Sequence, residues 1–254
     1  TAAVTLVLDN ISLKEVGVAT GWTTADAEPL IPQTALMGMS KPMVFDGIDD
    51  YVNGTAYDVD VASEDWSFSA WFKSNDVSPT DYQTIVSNNK DGSNRFAVQV
   101  RSSDVRASIT GADKSSNANI SDNIWYHVVC TISSGTLKLY LNTSEQTGSS
   151  SADMTSSVDF HIGAYTGTGH YFNGIINEVS VWNVTLTLAQ IQELFNDGVP
   201  LSATAHSVHT AASTNLKGYY RNDGASTWAD ISTDYSNDAS VVGSPDTILL
   251  PEGT

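Results

Sequence analysis

The chain has 254 residues, which is enough for one large all-β domain with appendages or for two modest domains. Eleven Lys and Arg residues against 29 Asp and Glu residues give a formal net charge of -18 at pH 7. This negative charge repels phosphate backbones and anionic lipid surfaces, so we expect neither a nucleic-acid partner nor insertion into a membrane. The single Cys130 leaves no partner for an intramolecular disulfide.

The first 42 residues contain one predicted strand and a linker. Val4, Leu6 and Leu8 recur with a period of two, which predicts a β-strand within residues 1–16. We interpret this strand as an orphan, either the remnant of a preceding module or a strand that pairs with another subunit. Glycines and prolines recur through residues 17–42, which is typical of a linker.

The main body, from residue 44 to residue 182, alternates apolar and polar residues almost throughout. The clearest apolar face is formed by Trp66, Phe68, Ala70 and Phe72. This period of two predicts a strand with one buried face. Turn residues separate further short strands, which we predict at 84–87, 96–101, 105–110, 125–132, 137–141 and 160–162. The pattern predicts an all-β fold, a sandwich of two antiparallel sheets.

One short helix is predicted at about 187–197, after the last of these strands. Thr187 is a suitable N-cap residue, and Gln190, three positions later, completes a capping box. Apolar residues recur at helical spacing between Leu188 and Phe195, and Gly198 provides a stop signal. We therefore expect an amphipathic helix of about three turns.

Two segments that bracket the strands contain distinctive motifs. Phe45-Asp46-Gly47 opens the main body, and Asn177-Glu178-Val179 lies near its end. With the helix that follows, they resemble the laminin-G-like, concanavalin-A-like jelly-roll family. The resemblance implies a concanavalin-A-like jelly-roll sandwich with one short helix and, here, an extra N-terminal strand.

The C-terminal segment looks like the opening strand and Asp-rich loop that members of this family carry before the Phe-Asp-Gly motif. The strand-like part is 216–221 and the loop-like part is 230–241. We expect residues 216–243 to complete the sandwich of a permuted domain that spans 43–254. The alternative is that the tail begins a further repeat and pairs elsewhere.

The turn after Phe45 concentrates carboxylates. Asp46, Asp49 and Asp50 repel one another unless a cation or hydrogen-bond donors neutralise them, and Ca²⁺ takes hard oxygen ligands of this kind. The family resemblance favours a structural Ca²⁺ site. Its candidate ligands are Asp46, Asp49, Glu178, Asp230 and Asn237. The alternative is that Asp46 only bonds turn amides.

Glu178 raises a separate question, because it shares a face with Ile176 and Trp182 by the period of two. A carboxylate directed into an apolar layer must find a partner. Ca²⁺, an arginine such as Arg221, and backbone amides all remain open.

Candidate ligand-binding residues combine flat rings with polar neighbours. The Gly-rich segment 163–172 presents Tyr165, His170 and Tyr171, and sugars bind by stacking their C–H faces on such rings. A turn that only caps the sandwich is the alternative. A second predicted loop set comprises Tyr82, Asn94 and Arg95, and Trp71 is predicted to line a concave sheet.

Catalytic signatures are not apparent in the sequence. The paired carboxylates of jelly-roll glucanases, the Gly-x-Ser-x-Gly elbow and a zinc-like arrangement of histidines are absent. We therefore predict that the protein is not an enzyme. We predict a non-catalytic recognition or adhesion module that binds a glycan or cell-surface receptor, outside the cell or on a virion surface such as a phage tail fibre. The alternatives are a structural subunit that assembles by strand exchange, as a homo-oligomer or part of a larger assembly, and a glycan-cleaving enzyme.

Overall fold

The computed structural model describes residues 42–60, 64–91, 94–110, 112–115, 119–146, 155–166, 169–232 and 237–247. The predicted orphan strand at 1–16 and all but the last residue of the linker at 17–42 lie outside them. Within the described residues, every helix is too short or too polar to span a lipid bilayer.

The described part of the chain is built mainly from strands. They are β1 Met43–Asp46, β2 Tyr51–Asp60, β3 Trp66–Ser74, β4 Gln83–Asp91, β5 Asn94–Arg101, β6 Asp104–Ile109, β7 Ala112–Ser115, β8 Trp125–Ser133, β9 Thr136–Leu141, β10 Ser144–Glu145, β11 Thr155–Ile162, β12 Asn173–Trp182, β13 Leu216–Tyr220, β14 Thr227–Trp228, β15 Ala239–Val242 and β16 Asp246–Thr247. Two short helices, α1 Leu188–Phe195 and α2 Ser207–Ala211, lie between β12 and β13. One-turn 3₁₀ helices follow at Asn196–Gly198, Ala203–Ala205 and Ser213–Asn215.

Two antiparallel sheets of eight strands each form a sandwich. Sheet I has the order β10-β9-β8-β3-β12-β1-β16, and β13 also pairs with β12. Sheet II has the order β14-β15-β2-β11-β4-β5-β6-β7. The prediction of an all-β sandwich of two antiparallel sheets is confirmed. The tail contributes strands to both sheets, since β13 pairs with β12 and β15 pairs with β2.

The core between the sheets is filled by the inward-facing side chains that the period of two selects. Its aromatic members include Phe45, Trp66, Phe68, Phe72, Phe96, Phe160, Phe172, Tyr220 and Trp228. The rings of Phe68 and Phe96, from opposite sheets, stack at a centroid distance of 4.3 Å. Burial of these rings, together with the aliphatic side chains around them, removes apolar area from water and stabilises the fold.

One edge of β12 has two successive partners, and Asn222 joins them. Phe45 of β1 pairs with Gly174, whereas Tyr220 of β13 pairs with Val179. The fully buried Asn222 side chain accepts a hydrogen bond from Met43 N at 2.8 Å and donates to Met43 O and to Ile176 O. This side chain therefore satisfies backbone groups where strand pairing changes from β1 to β13.

The outer face of sheet I is covered by the helical segment after β12. Ile191 and Leu194 of α1 pack with Val129, Tyr140 and Trp182 of the sheet. Strand β3, predicted to have one buried face, is in fact buried on both faces, because this layer covers the side that contains Ser67, Ser69 and Trp71. The alternation of residues along β3 shows which side chains share a face, but it does not show that a helical layer covers the second face.

Helix α1 begins where the sequence predicts it and ends earlier. The capping box between Thr187 and Gln190 is present, with both reciprocal hydrogen bonds. The helix stops at Asn196, whose φ of 44° is left-handed, so α1 has eight residues rather than the predicted three turns. Asparagine tolerates this conformation well, which is why it ends the helix before Gly198.

Candidate functional site

Three loops meet at one end of the sandwich, which we call the loop end. They are the turn 47–50, the connection 75–82 and the described parts of 163–172. Asn75 N donates to Asn173 O at 2.9 Å, and Phe172 N donates to Gly163 O at 2.9 Å. A Cβ on Gly163 would lie 3.6 Å from Asp50 O. These contacts place the three loops side by side.

Five partly exposed rings lie on the loop end, and we call them the aromatic surface: Tyr51, Tyr82, Tyr165, His170 and Tyr171. The His170 ring lies 5.7 Å from Tyr82 and 5.4 Å from Tyr165, between centroids. The Tyr171 ring lies 6.2 Å from Tyr51. Because His170 and Tyr171 are consecutive, the two groups of rings are neighbours. The structure thus brings together four residues that the sequence analysis named: Tyr82, Tyr165, His170 and Tyr171.

His170 holds the centre of this surface in an unusual backbone conformation. Its φ is 53°, in the left-handed region that few non-glycine residues occupy. Its carbonyl accepts a hydrogen bond from Thr84 N at 2.8 Å, which ties the loop to β4. Its side chain is 31% exposed, and its Nδ1 lies 3.6 Å from Asp81 Oδ1. Strained residues of this kind concentrate at ligand sites, where neighbouring structure holds them in place.

Two further predicted ligand residues lie elsewhere. The pair Asp91 and Asn94 closes the β4–β5 hairpin at one end, whereas Gln83 and Val100 pair at the other end, next to Tyr82. Arg95 is therefore about 20 Å from the Tyr82 end at the usual rise of a strand. The prediction that Tyr82, Asn94 and Arg95 form one loop set is wrong. The three residues are close in sequence, but the length of the β4–β5 hairpin separates Tyr82 from the other two.

The prediction that Trp71 lines an open concave sheet is also wrong. Trp71 is 2% exposed. The ring of Phe195, from α1, stacks on it at 5.6 Å with an interplanar angle of 3°. The helical layer occupies the surface on which a ligand would have to lie.

The acidic turn, defined by Asp46, Asp49 and Asp50, lies at the same loop end. One oxygen from each of these carboxylates lies within 4.8 Å of the others. Asp46 Oδ1 accepts hydrogen bonds from Ile48 N at 2.7 Å and Asp49 N at 3.4 Å. Asp50 accepts from Asp46 N and Ser244 N. Among the described residues, no basic side chain forms an ion pair with these carboxylates.

Asp50 is buried, with 1% exposure. Desolvation raises the pKa of its carboxyl, although the two backbone hydrogen bonds lower it and the nearby Asp46 and Asp49 raise it further. The charged form of the Asp50 carboxyl is therefore costly without a cation nearby. Three carboxylate oxygens at this spacing fit the Ca–O distances of about 2.3–2.6 Å that Ca²⁺ requires.

The other predicted metal ligands do not join the acidic turn. Glu178 accepts a hydrogen bond from Tyr219 Oη and forms an ion pair with Arg221 Nε at 2.8 Å. Burial raises the pKa of the Glu178 carboxyl, and Tyr219 and Arg221 counteract this. Of the three partners left open by the sequence, the structure therefore selects the arginine, and the assignment of Glu178 as a metal ligand is wrong.

Asp230 and Asn237 have a structural arrangement of their own. Asp230 accepts hydrogen bonds from the backbone N–H groups of Tyr219, Ser232 and Asn237. Asn237 donates from its side chain to Lys217 O at 3.2 Å. These bonds hold the loop after β14 against β13, so the two residues are not neighbours of Asp46 in a shared ligand set.

Tyr51 and Arg101 belong to the loop end and were missed by sequence reasoning. The Arg101 Cζ lies 4.6 Å from the centroid of the Tyr82 ring. Tyr51 begins β2 and faces outward because its neighbour Val52 faces the core. Alternation along β2 could have indicated that Tyr51 is outward-facing, but only strand pairing shows which rings it meets.

A cleft of about 530 Å³ lies at the opposite end of sheet I. It is lined by Glu64, Asp65, Trp66, Asn183 and Lys217. Its one aromatic side chain, Trp66, is only 4% exposed, with Nε1 directed to Glu64 Oε2 at 3.3 Å. The cleft therefore offers no open ring face, unlike the aromatic surface.

Comparisons with known proteins agree with this fold. A family model described as the concanavalin A-like lectin/glucanases superfamily matches residues 46–192, more than half of the chain. A search of curated proteins found no match. A protein from Bacteroides ovatus whose description proposes carbohydrate binding is similar in structure, with a TM-score of 0.59 and 17% identity. The match covers 84% of this chain and 61% of that one, so the chain spans about three fifths of its length.

Two other solved structures match with lower scores. Domains LG4-5 of the mouse laminin alpha1 chain match with a TM-score of 0.47 and 12% identity, over 59% of this chain and 44% of that one. A sialidase from Trypanosoma rangeli matches with a TM-score of 0.47 and 15% identity, over 63% of this chain and 28% of that one.

These findings correct the prediction that the protein is not an enzyme. The family whose model matches this chain is described by glucanases as well as lectins, so membership does not exclude an enzyme. The missing glucanase motif excludes one arrangement of catalytic carboxylates only. The exclusion of an enzyme is therefore withdrawn.

Proposed function

The chain belongs to the concanavalin A-like lectin/glucanases superfamily, and from this premise we propose that it binds a glycan on the aromatic surface. The observation that supports the proposal most is the grouping of five partly exposed rings on one set of loops. Rings of this kind offer apolar faces for the C–H side of a sugar, and the hydroxyl and imidazole groups offer hydrogen bonds.

We also propose a setting for this domain. We place the domain outside the cell, as an adhesion module of a surface appendage or phage tail fibre. A net charge of -18 keeps such a module soluble and discourages unspecific contact with nucleic acid. Assembly through strand exchange would show as a stable multimer in light scattering.

A glycan array tests this function. Binding of the wild-type protein is compared with binding of the single variant Tyr165→Ala. Tyr165 contacts His170 edge to face, so its removal opens the surface without touching the core. We expect affinity to fall about tenfold, or about 1.4 kcal/mol, and unfolding free energy to change by less than about 0.5 kcal/mol.

Leu188→Ala is the matched control, because Leu188 is 47% exposed on α1, away from the loop end. It should bind like the wild type. Normal affinity of Tyr165→Ala, or an equal loss in Leu188→Ala, would remove the aromatic surface from the binding site.

We also propose that the acidic turn holds a structural Ca²⁺ through Asp46, Asp49 and Asp50. The spacing of the three oxygens and the buried position of Asp50 support this. The ion would neutralise the turn and fix the loop from which Tyr51 continues.

Calcium is expected to raise the melting temperature, and Asp46→Ala to abolish the difference between calcium and chelator. A site filled at 100 times its Kd contributes about 2.7 kcal/mol. Asp46→Ala also removes the turn hydrogen bonds, so the informative quantity is the calcium-dependent shift rather than the melting temperature itself. Asp65→Ala, at an exposed aspartate of the opposite end, should keep the full shift. A shift that survives in Asp46→Ala would contradict the assignment.

A further inference from the structure

The four arginines with described side chains are used in different ways. Arg221 pairs with Glu178 at 2.8 Å, and Arg106 pairs with Asp104 at 3.7 Å. Arg95 and Arg101 have no carboxylate within 4 Å among the described residues. The chain has 29 acidic residues, so a guanidinium without a carboxylate partner suggests that its charge serves another purpose.

Arg101 is placed at the edge of the aromatic surface by strand register. Gln83 pairs with Val100, so the preceding Tyr82 and the following Arg101 lie opposite each other. Val100 points into the core, which turns Arg101 to the outer face of sheet II. Its Cζ lies 4.6 Å from the Tyr82 ring, and that ring lies 5.7 Å from His170.

The backbone that presents Arg101 is firmly held. Ser102 and Ser103, at φ values of 55° and 58°, form the two-residue turn between Arg101 and its strand partner Asp104. Ser103 N donates to Val77 O at 2.6 Å, and the hydroxyls of Ser103 and Ser78 lie 2.8 Å apart. The turn therefore holds the backbone of Arg101, and its guanidinium lies against the Tyr82 ring.

We propose that the glycan bound by the aromatic surface is acidic and that Arg101 binds its carboxylate. This rests on the proposed function and specifies its ligand class. A guanidinium over a ring keeps its N–H donors at its own edge, in the fork geometry that matches a carboxylate. Prior ordering by Tyr82 reduces the entropy that binding costs.

The charges around the surface also orient such a ligand. Asp81, with a side chain that is 72% exposed, lies 3.6 Å from His170 Nδ1. Its charge, together with that of the acidic turn at the same loop end, disfavours an anionic group on the His170 side of Tyr82. The carboxylate therefore lies at Arg101 and the uncharged part of the sugar extends over His170 and Tyr165.

Calorimetry with matched pairs of oligosaccharides tests the assignment. The probes are fragments of hyaluronan, alginate and polygalacturonate, each compared with its carboxyl-reduced form, and sialyllactose compared with lactose. For at least one pair we expect the acidic form to bind about tenfold tighter, the effect of one charge-assisted pair. Arg101→Gln should bring the ratio close to one, and added salt should reduce it.

Arg95→Gln is the matched control, since it removes the same charge at the far end of the hairpin, where it also has no described ion pair. It should keep the wild-type ratio. A ratio of one for every wild-type pair, or a ratio that survives Arg101→Gln, would overturn the inference. Binding of neutral sugars alone would leave the proposed function intact, whereas a blank result for all sugars would remove both.

Discussion

Replacing Gly174 with alanine is expected to lower the free energy of unfolding by about 4 kcal/mol or more. Gly174 has a φ of 140° and lies in β12 between β1 and β3. A Cβ there would collide with the carbonyl oxygen of Lys73 and lie 3.0 Å from Ser74 Cα. Both neighbours are backbone atoms of a central strand, so they cannot move aside without breaking the β3–β12 pairing.

Gly169→Ala is the matched control, because a Cβ at Gly169 meets nothing within 4 Å. Urea unfolding of the two variants compares the same chemical change in a packed and in an open position. A Gly174→Ala variant that unfolds within about 1 kcal/mol of the wild type would show that β12 lies less tightly against β3 than described.

Lowering the pH from 7 to 4 is expected to destabilise the protein by about 3 kcal/mol through His127 alone. His127 is 1% exposed, and burial lowers the pKa of its imidazole to about 3. Below the ordinary histidine pKa of 6.5, the His127 imidazole is protonated in the unfolded chain but stays neutral in the folded protein. Stability from the neutral imidazole is thus present above pH 6.5 and is lost as the pH falls towards 3.

The surroundings of His127 explain why it stays neutral. Its Nε2 shares a hydrogen bond with Ser69 Oγ at 2.8 Å, and its Nδ1 has no hydrogen-bond partner among the described residues. Trp71 and Phe195 stack near the ring at 5.1 and 6.0 Å. No carboxylate of the described residues forms an ion pair that would compensate a charge there.

Urea unfolding at several pH values, for wild type and His127→Gln, measures this contribution. The variant should show a shallower loss of stability between pH 6.5 and 4, because the amide does not titrate. His206, whose pKa burial also lowers, acts in the same direction, whereas the raised pKa values of Asp50 and Glu178 act in the opposite one. His170→Gln, at a partly exposed ring, controls for the loss of an imidazole. Equal slopes in wild type and His127→Gln would refute the assignment to His127.

The fold class was predictable from local patterns alone. Alternation such as that of Phe68, Ala70 and Phe72 depends only on the geometry of a strand, and the capping box of Thr187 and Gln190 depends only on neighbours along the chain. The family resemblance, which rested on the motifs around Asp46 and Glu178, is confirmed by the match over residues 46–192. Helix α2 was not predicted, since five residues give too little periodicity to detect.

The candidate site was only partly predictable. Tyr165, His170 and Tyr171 share one loop, so their proximity could be read from the chain. The roles of Trp71 and Arg95 could not, because Phe195 of α1 covers the first and the length of a hairpin separates the second from Tyr82.

By itself, the sequence determined the alternation, the capping box of α1 and the turns, because these follow from the conformational preferences of neighbouring residues. The tertiary structure decided which side chains from distant segments meet: Glu178 with Arg221 rather than with the acidic turn, and Arg101 with Tyr82 on the aromatic surface. Strand register and layer packing set these contacts, and both are fixed by burial of the whole core rather than by any local pattern.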